Sequence, residues 1–183
     1  MKPLSIKKPF LSLLSFVSLM LATCFFLSYL PAKATEVIQK AMGWSKLTKK
    51  KWTGAGLIGS LFGAGTFFLL PPSLRASLWL MIGGIVLSVI VSHHAEKILQ
   101  SHDDTRIVID EWIGVWVAFW GLVVFHPSAF LVAFVLFRFF DVWKGPWGNA
   151  LQKWPGGLGV TADDVAAGIL ANVGARAIFL LLF

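Results

Sequence analysis

The chain has 183 residues, of which 57% are hydrophobic and only 14% are charged. Together with a mean hydropathy of +0.77, this composition excludes an ordinary soluble globular domain and predicts a membrane protein. The net charge of +7 comes largely from lysines beside apolar segments, which favours anionic lipid head groups over nucleic acid as partners. The single cysteine excludes an internal disulfide framework.

Long apolar runs define the predicted elements, because a helix needs roughly 20 residues to cross the hydrocarbon of a bilayer. In chain order they are residues 10–30, 54–70, 76–92, 107–125, 128–140 and 165–183. The run at 128–140 is short, and residues 141–144 extend it. We therefore predict an all-α fold, a polytopic membrane bundle of about five or six helices.

The N-terminal part is predicted to differ from the rest. Residues 1–53 hold the first apolar run and a lysine-rich loop, and residues 54–183 form the helical domain that carries the function. An A-x-A motif at 32–34 is typical of a cleaved secretory signal. The positive-inside rule places 31–53 in the cytoplasm, because its lysines outnumber those before the run. Cleaved, spanning and re-entrant forms of the first run all remain open.

Two adjacent acids, Asp110 and Glu111, are the only charged residues between 107 and 125. On a helix they flank a narrow face of small residues, and three tryptophans occupy the opposite face. The small residues are Gly114, Ala118 and Gly121, and the tryptophans are Trp112, Trp116 and Trp120. Small residues admit another helix and tryptophans suit lipid, so we expect the acids to point into the bundle. The alternative is a buried structural pair, but acids inside a membrane are costly and commonly functional.

A second charged cluster lies in FRFFDVWKGPW, residues 137–147. Arg138, Asp141 and Lys144 are spaced by three and therefore share one side of a helix. Gly145 and Pro146 end that helix and place Lys144 near a membrane surface. Snorkelling at the helix end, with Arg138 paired to Asp141, is an alternative that requires no function.

The third cluster is GGLGVTADDVAAG, residues 156–168. Thr161 and Asp164 have the spacing of a capping box, and Asp163 suits the dipole at a helix start. We therefore predict a helix that begins near Thr161, after a flexible glycine segment whose amides can meet a phosphate. A glycine cluster by itself is a weak signal.

The three clusters together favour one shared site, since each brings acids to a helix end and two basic residues lie among them. Hard oxygen ligands suit Mg²⁺, or Mn²⁺ as a substitute, rather than zinc. A metal with Arg and Lys neutralises charge on a transferring phosphoryl group. We therefore predict that Asp110 and Glu111 are metal ligands in an enzyme of phosphoryl chemistry.

The same stretches resemble the phosphatidylglycerophosphatase A family: Asp103 with IVIDEWIG, then FRFFDVWK, then GGLGVTADDVAAG, in this order and with similar intervals. The resemblance implies a Mg²⁺-dependent, multi-pass phosphatase of the bacterial inner membrane that hydrolyses phosphatidylglycerophosphate in phospholipid biosynthesis. It carries catalytic roles to Asp110, Glu111, Asp141, Lys144, Asp163 and Asp164. It makes the five carboxylates metal ligands and assigns phosphate binding to Lys144 and Arg138. The motif match assigns a functional role less strongly to Asp103 and Arg138.

The N-terminal half departs from the family pattern LATGFGLGYxPKAPGTxGSL. Residues 21–34, LATCFFLSYLPAKA, match its first part without the glycines, and GLIGSL at 56–61 matches its end loosely. The match favours a first run that is retained in the mature enzyme. Because the family pattern is matched so incompletely here, no phosphate-binding role is carried over to residues 53–60.

Other classes of function fit less well. A CDP-alcohol phosphotransferase also uses Mg²⁺ but expects DGxxAR…GxxxDxxxD, which the chain lacks. A divalent-cation transporter needs polar residues across the whole membrane, whereas these acids lie near segment ends. A purely structural membrane subunit is a third alternative.

Overall fold

A computed structural model describes residues 12–31, 54–102, 104–122 and 126–182, and within these ranges it contains helices and no strand. The helices are α1 (Leu13–Ala22), α2 (Ala55–Leu69), α3 (Pro72–Arg75), α4 (Leu78–Leu99), α5 (Ile109–Phe119), α6 (Ser128–Val142), α7 (Gly145–Leu151) and α8 (Gly157–Leu182). The predicted all-α bundle is confirmed. Asp103, the A-x-A motif and the lysine-rich loop lie outside the described residues, and the division at residues 53–54 remains a prediction.

Two helices of the described part are long and apolar enough to cross a membrane, namely α4 and, over Gly157–Leu181, α8. The run predicted at 76–92 continues in the structure to Leu99. It does so because Val91 and Ala95 keep a buried face on the helix. Gln100 then ends α4 in a left-handed conformation.

The central helix, α5, is much shorter than predicted. A helix over 107–125 is wrong, because α5 ends at Phe119 and Gly121 adopts a φ of +68°, which favours glycine. At its other end, Asp110 and Glu111 lie in the first turn, where acidic residues suit the helix dipole. An α-helix of this length is about 16 Å long.

Two of the three tryptophans, Trp112 and Trp116, pack against α2, whereas the prediction had this face meet lipid. The indole Nε1 of Trp116 donates hydrogen bonds to the carbonyl oxygen of Gly63 at 2.9 Å and to Thr66 Oγ1 at 3.2 Å. The ring of Trp112 meets that of Phe62 edge-on, with 4.8 Å between centroids. Glycine at position 63 permits this, because a Cβ there would lie 2.6 Å from the Trp112 carbonyl oxygen.

The last helix, α8, begins one turn earlier than predicted, so the capping box is wrong. Thr161 lies inside the helix, and its hydroxyl forms a 3.0 Å hydrogen bond with Ser88 Oγ of α4. The reason is a close helix contact. A Cβ on Gly157 would lie 2.5 Å from the backbone nitrogen of His93, so α4 and α8 nearly touch where α8 starts.

The first apolar run does not form one continuous helix. After α1 ends at Ala22, Cys24, Phe25 and Phe26 adopt φ values of +48°, +58° and +64°. Positive φ values suit glycine, so these three residues adopt this backbone path at a steric cost. The run packs on the bundle, since Val108 N donates to the Ala22 carbonyl oxygen at 2.8 Å.

Glycines bring α5 and α8 into backbone contact at the centre of the core. A Cβ on Gly168 would lie 2.5 Å from the carbonyl oxygen of Gly114, and a Cβ on Gly114 would lie 2.6 Å from a ring carbon of Phe137. We therefore expect Gly168→Ala to destabilise the protein by about 1–3 kcal/mol, because the contacted backbone cannot move aside.

Thermal unfolding in detergent measures this effect, and Gly83→Ala is the matched control. Gly83 lies inside α4 with nothing within 4 Å of an added Cβ. Its replacement should leave stability unchanged or raise it by roughly 0.5–1 kcal/mol. Equal melting temperatures for the two variants would contradict the close contact of α5 with α8.

Candidate active site

Charged residues from three helices and the α6–α7 junction converge at one end of the bundle. Lys144, the residue before α7, lies at the centre of this group. Its Nζ is 2.5 Å from Asp163 Oδ2 and 3.9 Å from oxygens of Asp141 and Asp164. The structure thus brings together the residues predicted from three separate stretches of sequence.

Three carboxylates form a compact group, here called the carboxylate trio: Asp110, Glu111 and Asp164. One oxygen of each lies within 4.8 Å of the others. Oδ1 of Asp110, Oε2 of Glu111 and both side-chain oxygens of Asp164 are buried without a hydrogen-bond partner among the described residues. Buried carboxylate oxygens without partners are costly, so this group fits a hard divalent cation.

The other two predicted metal ligands have basic partners instead. Asp141 Oδ2 lies 2.5 Å from Arg138 Nη1, and Asp163 is paired with Lys144. Asp163 also accepts a hydrogen bond from the backbone nitrogen of Asp164 at 3.1 Å. The geometry therefore divides the five carboxylates into a trio with buried oxygens that lack hydrogen-bond partners among the described residues, and a pair that holds two basic side chains in place.

The start of α2 also contributes to the site, which was not predicted from the sequence. Arg138 Nη1 donates to Ser60 Oγ at 2.9 Å and to the Gly56 carbonyl oxygen at 3.3 Å. A Cβ on Gly56 would overlap Glu111 Oε1, so only glycine leaves room for that carboxylate. The signal was the loose match of GLIGSL at 56–61 to the end of the family pattern.

The electrostatics keep Lys144 charged. Burial alone would lower the pKa of Lys144, but the nearby carboxylates of Asp164, Asp163 and Asp141 together raise it above its ordinary value. The ammonium group is therefore a charged hydrogen-bond donor beside the trio, of the kind that binds the oxygens of an anion such as a phosphate.

The fold and the site define an all-helical enzyme with the charged groups that phosphoryl chemistry requires. The family model for Phosphatidylglycerophosphatase A matches residues 20–179, and the chain belongs to this family. Its membership and its two long apolar helices indicate a membrane protein.

Three bacterial relatives show the extent of the similarity. A Bacteroides thetaiotaomicron protein with the provisional name phosphatidylinositol-3-phosphatase is 33% identical over 128 residues, which cover 66% of this chain and 78% of the relative. Phosphatidylglycerophosphatase A of Escherichia coli is 33% identical over 123 residues, or 63% of this chain and 69% of the relative. Phosphatidylglycerophosphatase A of Haemophilus influenzae is 38% identical over 73 residues, or 39% and 45%. No solved structure matches the chain.

Proposed function

We propose that the protein hydrolyses the phosphomonoester of phosphatidylglycerophosphate to phosphatidylglycerol and phosphate, with Mg²⁺ as cofactor, in glycerophospholipid biosynthesis. The observation that carries the proposal is the carboxylate trio, whose buried oxygens Asp110 Oδ1, Glu111 Oε2 and both of Asp164 lack hydrogen-bond partners among the described residues. Two basic side chains held by acids lie beside it. Family membership supports the substrate, because the matching family is Phosphatidylglycerophosphatase A.

Asp110, Glu111 and Asp164 are the residues that would hold the cation, with Mn²⁺ as a possible substitute. When bound, the cation acts as a Lewis acid that neutralises charge on phosphoryl oxygens. Lys144 and Arg138 donate hydrogen bonds to the phosphate oxygens, while Asp163 and Asp141 orient these two basic groups. The division of roles refines the sequence prediction, in which all five carboxylates bind metal.

The position of the site suits a lipid substrate. The trio lies in the first turn of α5 and the second turn of α8, and Lys144 lies between α6 and α7, so every contributor is near a helix start or end. A head group can reach such a site while the acyl chains remain in the bilayer. We place the protein as a multi-pass protein in the bacterial inner membrane, with the site towards the cytoplasm according to the positive-inside rule.

The experiment that tests the proposal measures phosphate release from phosphatidylglycerophosphate by the purified protein in detergent. We expect activity to vanish in EDTA and to return with Mg²⁺ or Mn²⁺, because the trio offers only hard oxygen ligands. Full activity after exhaustive chelation would contradict the proposal that the reaction requires a divalent cation. A parallel reaction with phosphatidylinositol 3-phosphate tests the substrate suggested by the name of the Bacteroides relative. Faster release from that lipid would contradict the proposed substrate.

A further inference from the structure

The C-terminal end of α5 is hydrogen-bonded by two polar side chains of α8, here called the polar clamp: Asn172 and Arg176. Asn172 Nδ2 donates to the carbonyl oxygens of Ala118 at 2.9 Å and Trp120 at 2.8 Å. Arg176 Nη2 donates to the Trp120 oxygen at 2.9 Å, and its Nε donates to Asn172 Oδ1 at 2.7 Å. The last carbonyls of a helix have no partner within it, so these bonds satisfy groups that otherwise lack one.

The clamp and the carboxylate trio lie at opposite ends of the same helix pair. Asp164, Gly168, Asn172 and Arg176 are spaced by four and so share one face of α8. Asp164 joins the trio with Asp110 of α5, Gly168 meets α5 in the middle, and the clamp binds the end of α5. One face of α8 therefore follows α5 along its whole length.

The clamp is the part of this face that can set the axial position of the two helices. The contact of Gly168 with the Gly114 carbonyl oxygen and the Val117 side chain is a van der Waals contact, whereas hydrogen bonds weaken steeply when their distance and angle change. The three carboxylates of the trio repel one another when no cation is present. A slip of one residue, about 1.5 Å, changes the spacing of Asp164 from Asp110 and Glu111.

We propose that Asn172 and Arg176 are positioning residues that hold Asp164 against Asp110 and Glu111 in the spacing that binds the divalent cation. This inference rests on the proposed function, since it assumes that the trio binds a cation. Their hydrogen bonds to each other and to the carbonyls of Ala118 and Trp120 tie α8 to the end of α5, so they act on the trio through the packing of these two helices.

The test is a titration of purified protein with Mn²⁺, in which the electron paramagnetic resonance signal of free Mn²⁺ reports binding without any need for activity. We expect Arg176→Gln and Asn172→Ala to weaken Mn²⁺ binding about tenfold, the lower end of the effect of supporting residues around metal sites. Arg176→Lys keeps a donor near Trp120 and should recover part of the affinity. Activity at saturating Mn²⁺ should fall less than the affinity does.

Arg75→Gln is the matched control. Arg75 also donates to carbonyl oxygens at a helix end, those of Leu70 at 2.7 Å and Phe68 at 2.6 Å, but it serves α2, which contributes no carboxylate. This variant should lose stability and bind Mn²⁺ like the wild type.

Wild-type affinity in Arg176→Gln and Asn172→Ala would overturn the inference and leave the clamp a purely structural feature. If Arg176→Gln does not fold, Asn172→Ala tests the inference alone. This variant should still fold, because the hydrogen bond from Arg176 to the Trp120 carbonyl oxygen stays in place. If the wild type itself binds no Mn²⁺, the metal in the proposed function fails and the inference fails with it. The wild-type titration distinguishes the two outcomes: the wild type binds Mn²⁺ if only the inference fails, and it does not bind Mn²⁺ if the proposed metal site fails.

Discussion

Asp164→Asn is expected to reduce phosphate release by about a thousandfold or more, while the metal-free protein remains at least as stable as the wild type. Asp164 is 1% exposed, and neither of its side-chain oxygens has a hydrogen-bond partner in the described part of the chain. The amide removes one of three neighbouring negative charges, which relieves repulsion in the absence of metal. It also removes a cation ligand. Asp110→Asn and Glu111→Gln should behave in the same way.

Thermal unfolding with and without Mg²⁺ separates this prediction from a structural role. A ligand present at 100 times its dissociation constant stabilises the folded state by about 2.7 kcal/mol, so the wild type should melt higher with Mg²⁺ and Asp164→Asn should not. Asp104→Asn is the control, because Asp104 pairs with Arg106 at 2.7 Å, apart from the trio. Normal turnover by Asp164→Asn would show that the acid is structural.

Lys144→Met should lower kcat/KM about 100- to 1,000-fold, the usual loss when one preorganised donor to a developing negative charge is removed. It should not weaken Mn²⁺ binding, because it removes a positive charge from the neighbourhood of the trio. The variant should also be destabilised by about 3 kcal/mol or more, since Asp163, 2% exposed, loses its basic partner.

The double variant Lys144→Met with Asp163→Asn distinguishes lost stability from lost chemistry. The second change removes the buried charge that Lys144 had neutralised, so the melting temperature should recover in large part. Activity should remain low, because no ammonium group is present to meet the phosphate. Recovery of both the melting temperature and the activity would mean that Lys144 serves only to neutralise the charge of Asp163.

The clustering of the candidate site residues was largely predictable from the sequence, because carboxylates in apolar surroundings are conspicuous. Asp110 and Glu111 stand alone in a long apolar run, and their partners lie in two other short motifs. The split of the acids was not predictable, since Asp141 and Asp163 differ from the trio only in the side chains that reach them across the bundle. That difference depends on three-dimensional packing.

Helix boundaries were less predictable, because distant residues decide them. Thr161 and Asp164 have the local spacing of a helix start, yet α8 begins at Gly157, where it meets α4. The apolar run at 107–125 predicts one long helix, but α5 ends at Phe119, and the groups that satisfy its last carbonyls come from α8. Neither effect is visible in a local window of sequence.

The short length of α5 has a consequence for the order in which the protein matures in the membrane. A helix of about 16 Å covers only half of a 30 Å hydrocarbon layer, and unsatisfied carbonyls inside that layer cost several kcal/mol each. While the ribosome is still making the chain, α5 precedes its partners by some fifty residues of sequence. We therefore expect α5 to reach its final position only after α8 has been synthesised. A truncation that removes only the end of α8, with Asn172 and Arg176, should then weaken a site whose carboxylates all lie earlier in the chain.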